Sequence, residues 1–173
     1  MLILPDYIVP DLKVVFIGYN PGERSAAVQH HFAGRNNAFW RLLFDSGLTS
    51  RLFTAEEDSF LIKEGYGLTN IVERSSNSSS DLSEAEMRQG AKFLRQKLAL
   101  FQPRIACFLG KDIYRFYTGL KRTAPVEYGP VPIDQDIMIL FVAPNPSGRN
   151  VIKYEQKLAS FSQLNDIVLN SQA

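Results

Sequence analysis

Cysteine is nearly absent from this sequence: Cys107 is the only one in 173 residues. An intramolecular disulfide is therefore impossible, and zinc or iron–sulfur sites built on cysteines are excluded. Cys107 stands inside the apolar run Ile105-Ala106-Cys107-Phe108-Leu109, so it reads as a buried strand thiol, and a reducing compartment is expected. Histidine is almost as scarce. His30 and His31 are adjacent, a spacing that gives neither a metal-ligand partner, and no metal is expected. Long hydrophobic runs are missing: no stretch reaches the length a bilayer requires, and the N-terminus lacks a basic region followed by an apolar one. The chain is expected to be soluble and intracellular, with no membrane partner. Neither sign of charge dominates, with 19 Lys and Arg against 18 Asp and Glu and a net charge of +1. No bulk basic field announces a nucleic acid, although a small site can gather its cations locally. The three spaced glycines of a dinucleotide fingerprint are missing, as is the Gly-Lys-Ser/Thr of a phosphate loop, and no cofactor is expected.

What is present is 45% hydrophobic residues against 21% charged, the balance of an ordinary globular protein. The length suits one domain over residues 1–173. Four short apolar, β-branched runs, at 13–18, 66–72, 104–109 and 137–142, read as buried strands. Helical patterns lie between them. Asn37 can cap a helix running to Ser46. Thr54-Ala55-Glu56-Glu57 and Ser83-Glu84-Ala85-Glu86 are capping boxes. After the second box, Met87, Ala91, Leu94, Leu98 and Phe101 fall on one helical face, and a last helix spans 154–169. Strands alternating with helices, each strand apolar on both faces, predict an α/β three-layer sandwich. Its central, mostly parallel sheet should have four or five strands with helices on both sides. In such sheets ligands collect beyond the carboxyl ends of the strands. The serine-rich segment at 75–80 then reads as a loop within the domain.

Two of the loops at those ends share an Asn-Pro pair. The first is Gly18-Tyr19-Asn20-Pro21-Gly22-Glu23-Arg24-Ser25, a tight turn by composition. The other is Ala143-Pro144-Asn145-Pro146-Ser147-Gly148-Arg149-Asn150, stiffened by two prolines with an arginine near its tip. Together they suggest one shared crevice.

The residues also carry a resemblance. Gly18 to Gly22, followed by Phe32-Ala33 and Asn36-Asn37-Ala38-Phe39-Trp40, resembles the first motif of the mismatch-specific uracil/thymine DNA glycosylases, a family of the uracil-DNA glycosylase superfamily. Gly67-Leu68-Thr69-Asn70-Ile71-Val72-Glu73-Arg74 is similar to their central motif. Gln102-Pro103-Arg104-Ile105-Ala106 and Leu109-Gly110-Lys111 match the third strand, and Asn145-Pro146-Ser147-Gly148-Arg149 resembles the loop that penetrates DNA. The likeness runs in order from Leu12 to Arg149.

The resemblance implies a monofunctional glycosylase without a cofactor. It would act as a monomer on double-stranded DNA, in the cytoplasm or nucleoid of a bacterium or the nucleus of a eukaryote. The base to be removed is flipped out of the helix. Phe32 would stack on it, Asn70 would read its edge with an amide donor and acceptor, and Tyr19 and Ser25 would line its pocket. Ser25 would lie near the position of a 5-methyl group. Asn20 would orient the attacking water, with Ser76 helping to seat it, and backbone amides near Asn20 and Phe32 would stabilise the departing uracil anion. Arg149 would fill the gap in the stack, and the backbone around Gly148 and Asn150 would contact the orphaned guanine. Asn145, Ser147 and Lys111 would contact DNA, largely through phosphates, and Arg74 could add to them.

Faster members of the superfamily carry aspartate and histidine where this chain has Asn20 and Asn145. An amide cannot act as a base, so a slow enzyme is expected. Glu23 and Arg24 depart from the apolar or small residues usual at the pocket mouth. Two other readings follow from the residues: a binding module that holds damaged DNA without turnover, and an α/β enzyme acting on a free nucleoside. Asn20 argues against the first. Arg149 on a rigid loop argues against the second, because a nucleoside offers no duplex gap to fill.

Overall fold

The computed structural model describes residues 3–132 and 138–171. Its strands are β1 (Val14–Gly18), β2 (Tyr66–Asn70), β3 (Ile105–Leu109), β4 (Gly129–Val131) and β5 (Ile139–Ala143). They form one sheet in the order β2-β1-β3-β5-β4, parallel throughout except that β4 runs antiparallel to β5. The helices are α1 (Glu23–Val28), α2 (Phe39–Asp45), α3 (Leu61–Glu64), α4 (Glu84–Phe101), α5 (Lys111–Thr118) and α6 (Tyr154–Asn170), with a 3-10 turn at Ala55–Phe60 leading into α3.

The two-residue period of the strands divides the core between two layers. Val14, Phe16, Leu68, Ile105, Cys107 and Phe141 face α2, α3 and α6, packing on Phe39, Leu42, Leu61 and Phe161. Val15, Ile17, Ala106, Phe108 and Val142 face α4 and α5, packing on Met87, Leu94, Leu98 and Ile113. Every residue of β1 and β3 is buried, as central parallel strands must be. Cys107 is fully buried, and burial pushes its thiol up from the usual range. The sheet and its two helical layers are the α/β sandwich expected from the alternation of elements.

Local details differ from the sequence reading. The fourth run begins at β5 rather than at 137; Ile137 itself lies outside the described residues. The second run leaves the sheet after Asn70: Ile71 N makes the last ladder bond to β1, at Gly18 O (2.9 Å), and in the turn beyond it Val72 N donates to Tyr19 O (2.9 Å). That turn ties the β2 loop to the β1 loop. The Ser83 box forms as expected, with Ser83 Oγ accepting from Glu86 N (3.2 Å) and Glu86 Oε2 accepting from Ser83 N (2.8 Å). The Thr54 box opens the 3-10 turn instead of an α-helix.

Helix α4 lies so close to the end of β2 that an added Cβ at Gly90 would stand 2.0 Å from Ile71 O and 2.9 Å from its carbonyl carbon. Gly90→Ala is therefore expected to destabilise the protein by about 3 kcal/mol through forced backbone displacement. This outweighs the ~1 kcal/mol that alanine contributes to a helix interior. The shift in the midpoint of urea unfolding measures it.

Candidate active site

The carboxyl ends of β1, β2, β3 and β5 open into one cleft of about 890 Å³. It sits where the chain order reverses, with β1 followed outward by β2 on one side and β3 on the other. All twelve residues singled out from the sequence line it: Tyr19, Asn20, Ser25, Phe32, Asn70, Ser76, Lys111, Asn145, Ser147, Gly148, Arg149 and Asn150.

The floor is Gly18, the last residue of β1 and the register partner of Asn70. A Cβ built there would lie 2.5 Å from Asn70 Oδ1 and 3.7 Å from Cε1 of Phe32. The missing side chain is thus what lets the Asn70 amide lie across the strand end beside the Phe32 ring. Phe32 has a left-handed backbone, φ 52°, and its ring stacks on Phe39 with centroids 4.0 Å apart and planes at 25°. Half-buried, it presents its ring to the cleft. Ser25, buried at the base of α1, accepts from Ala33 N at 3.0 Å. Its hydroxyl therefore holds the backbone after Phe32, so trimming it would free an amide as well as remove an oxygen.

Asn20 follows Tyr19 out of β1. Its Nδ2 donates to Arg74 O (2.8 Å) and to Ser76 Oγ (2.8 Å). Both amide protons are thereby engaged, which turns Oδ1 into an acceptor of fixed direction. Ser76 in turn donates from Oγ to Ser78 O (2.7 Å), and its amide donates to Pro21 O (3.2 Å). The serine hydroxyl holds Asn20, a more specific part than the water-seating expected from sequence. Among the described residues, neither the Asn20 amide nor the Phe32 amide donates to a protein acceptor. Two backbone donors on cleft-lining residues are thus left for a ligand.

The opposite wall is the loop after β5. Asn145 Oδ1 accepts from Ser147 N (2.9 Å), Ser147 Oγ accepts from Arg149 N (3.2 Å), and Asn150 Oδ1 accepts from Ile152 N (2.9 Å). Each polar side chain shapes the next turn, and the Ser147 hydroxyl keeps its own proton to donate. The loop is seated on the first motif. Ala38 N donates to Pro146 O (2.9 Å), and a Cβ at Gly148 would be 2.6 Å from Asn36 O. Lys157, buried on α6, donates its ammonium to Ser147 O (3.1 Å), and desolvation pushes its pKa below the ordinary lysine value.

A family model of the uracil DNA glycosylase superfamily matches residues 5–168. The chain belongs to that superfamily. What membership supports is hydrolysis of the bond between uracil and deoxyribose in DNA, the first step of base-excision repair, with DNA as partner.

For a uracil DNA glycosylase superfamily member with a net charge of only +1, the placement of charge matters. Arg24, Arg35, Lys111, Arg115 and Arg149 line the cleft against the carboxylates Glu23 and Asp112. The positive field is local, as a site for a polyanion requires. Arg149 is exposed, and its guanidinium reaches Asn77 O in the serine-rich loop. Lys111 sits 4.4 Å from the centroid of the Tyr128 ring. Arg74 is not a free phosphate ligand. Its Nε donates to Glu86 Oε1 at 2.6 Å, a bond that holds the Glu86 carboxyl down at about 2. Tyr19 lies against Gly110, where a Cβ would be 2.7 Å from its ring, and burial pushes its phenol up. Glu23 and Arg24 line the cleft whose mouth the sequence assigned to them, while sequence reasoning missed Arg35, Arg115, Tyr128 and Lys157. All four lie outside the matching motifs as quoted, and nothing local marks such a side chain as one that will face a cleft.

Proposed function

We infer that the protein hydrolyses uracil from G·U mismatches in duplex DNA, leaving an intact strand with an abasic site. The observation that carries this reading is the fixed orientation of Asn20, with both Nδ2 protons spent on Arg74 O and Ser76 Oγ. A flipped uracil enters between the Phe32 ring and the Asn70 amide. The glycosidic bond weakens as charge flows to the base, where the free amides of Asn20 and Phe32 receive it. A water donating to Asn20 Oδ1 then adds to C1′ of the sugar cation and gives up its proton to the departed uracil anion or to solvent, leaving a C1′ hydroxyl and neutral uracil. Orientation supplies the rate enhancement, because an amide cannot take the proton.

The mismatch preference rests on the 145–150 loop. Its short turns leave backbone groups near Gly148 to meet the edge of an unpaired guanine, while Arg149, released from Asn77, fills the vacated stack. A mismatched base is also cheaper to flip. Excision from G·U should exceed that from A·U by about tenfold or more, the equivalent of about 1–3 kcal/mol. Arg149→Ala should slow duplex G·U processing while sparing single-stranded uracil, where no gap exists. Single-turnover assays on the three substrates check both. Equal G·U and A·U rates, or equal losses on duplex and single strand, would remove the mismatch reading and leave a general uracil glycosylase.

A further inference from the structure

The adjacent histidines have no part in the chemistry above, yet they lead to a buried carboxylate. Asp58, in the 3-10 turn, is 1% exposed. Its Oδ2 accepts from the backbone amide of His31 at 2.8 Å, and its Oδ1 lies 3.2 Å from His30 Nδ1. A carboxylate is costly to bury unless its oxygens are satisfied, and these bonds satisfy them. The second ring, His31, is anchored separately, through Nε2 to Pro5 O at 2.8 Å.

The contact with the His31 amide falls one residue before Phe32. That residue adopts a left-handed backbone, which persists in a side chain other than glycine only where its surroundings over-determine it. On the far side, Ser25 Oγ accepts from Ala33 N and Arg24 Nε donates to Ala33 O at 2.8 Å. The Phe32 peptide is thus clamped before and after, and the clamp before it is the Asp58 carboxylate. We propose that Asp58 is a positioning residue that acts through the His31 amide to hold the Phe32 ring and the free Phe32 N–H in register with the flipped base. This rests on the glycosylase reading of the cleft, since it assigns Asp58 its effect through Phe32.

A double-mutant cycle tests it, using single-turnover excision from a G·U duplex, duplex affinity and thermal unfolding. Asp58→Asn preserves volume but weakens the acceptor. It is expected to slow excision by about ten- to a hundredfold, the cost of a misplaced reacting group, with duplex affinity changed by less than about twofold. In a Phe32→Ala background the same substitution should cost clearly less, because the ring is already gone and only the backbone N–H at position 32 is left for Asp58 to position. His30→Ala removes the other recorded partner of the same carboxylate, at Oδ1, but leaves the His31 contact. It should lower the melting temperature while excising at the wild-type rate, and it carries the test if Asp58→Asn does not fold. Asp58→Asn at wild-type rate, an undiminished loss in the Phe32→Ala background, or a His30→Ala enzyme slowed in step with its stability overturns the assignment. Those outcomes leave the glycosylase reading standing. An inert wild-type protein, or Phe32→Ala at full rate, instead removes that reading and the Asp58 proposal with it.

Discussion

Asn20→Ala is expected to bind a G·U duplex nearly as well as wild type and to excise uracil at least about a hundredfold more slowly. The side chain is half-buried on a loop and contributes no core packing, so the cost to stability should be small. What disappears is the acceptor aimed by Arg74 O and Ser76 Oγ. Ser76→Ala, which removes only one of those two anchors, should give an intermediate loss. Single-turnover rates with saturating enzyme separate this from binding. Excision near the wild-type rate by folded Asn20→Ala would put the water elsewhere in the cleft.

A single methyl group on the cleft floor should be nearly as damaging. In Gly18→Ala the new Cβ would meet Asn70 Oδ1 at 2.5 Å. The obstructed atom is the end of a side chain, so the protein can relieve the clash by swinging the amide away. Stability should therefore fall by no more than about 1 kcal/mol, below the usual penalty for overpacking a rigid core. The price is paid in recognition: an amide that can no longer pair with the uracil edge leaves the buried polar groups of the base unsatisfied. An expected loss of about a hundredfold in excision, with a nearly unchanged melting temperature, distinguishes this from the Gly90→Ala variant, where the obstruction is backbone. Full activity in Gly18→Ala would mean that Asn70 reads nothing in the base.

These two glycines show how far the sequence reaches. Gly18 was legible as a strand end because a continuous apolar run leads up to it, whereas the second run reads on past Asn70 to Val72. The contact between Gly18 and Asn70 is a matter of register, which no local pattern encodes. The four main strands were visible for the same reason, and α4 because the Ser83 box and the Met87, Ala91, Leu94, Leu98 face agree with each other. Three elements were not. Helix α1 is six residues long and has Gly22 at its N-cap, with no side-chain cap, so its sequence reads as a turn. Helix α5 has Gly110 at its N-cap, again with no capping side chain. Strand β4 has three residues including Pro130, tolerable only because it is the sheet's edge. At the site, the motif positions were legible through their resemblance to a family. The partners that aim them were not. Lys157, Asp58 and the Arg74 carbonyl reach the cleft through tertiary contacts with segments remote in sequence.

The account stands most directly on hydrolytic release of the free base. A G·U duplex labelled at one end is incubated with the wild-type protein, and the mixture is divided between mass-spectrometric quantification of uracil and a denaturing gel run before and after hot alkali. The prediction is one equivalent of free uracil per duplex, an intact strand before alkali and a single break at the uracil position after it. The account is contradicted if no uracil is released, or if the strand is already broken at that position before alkali is added.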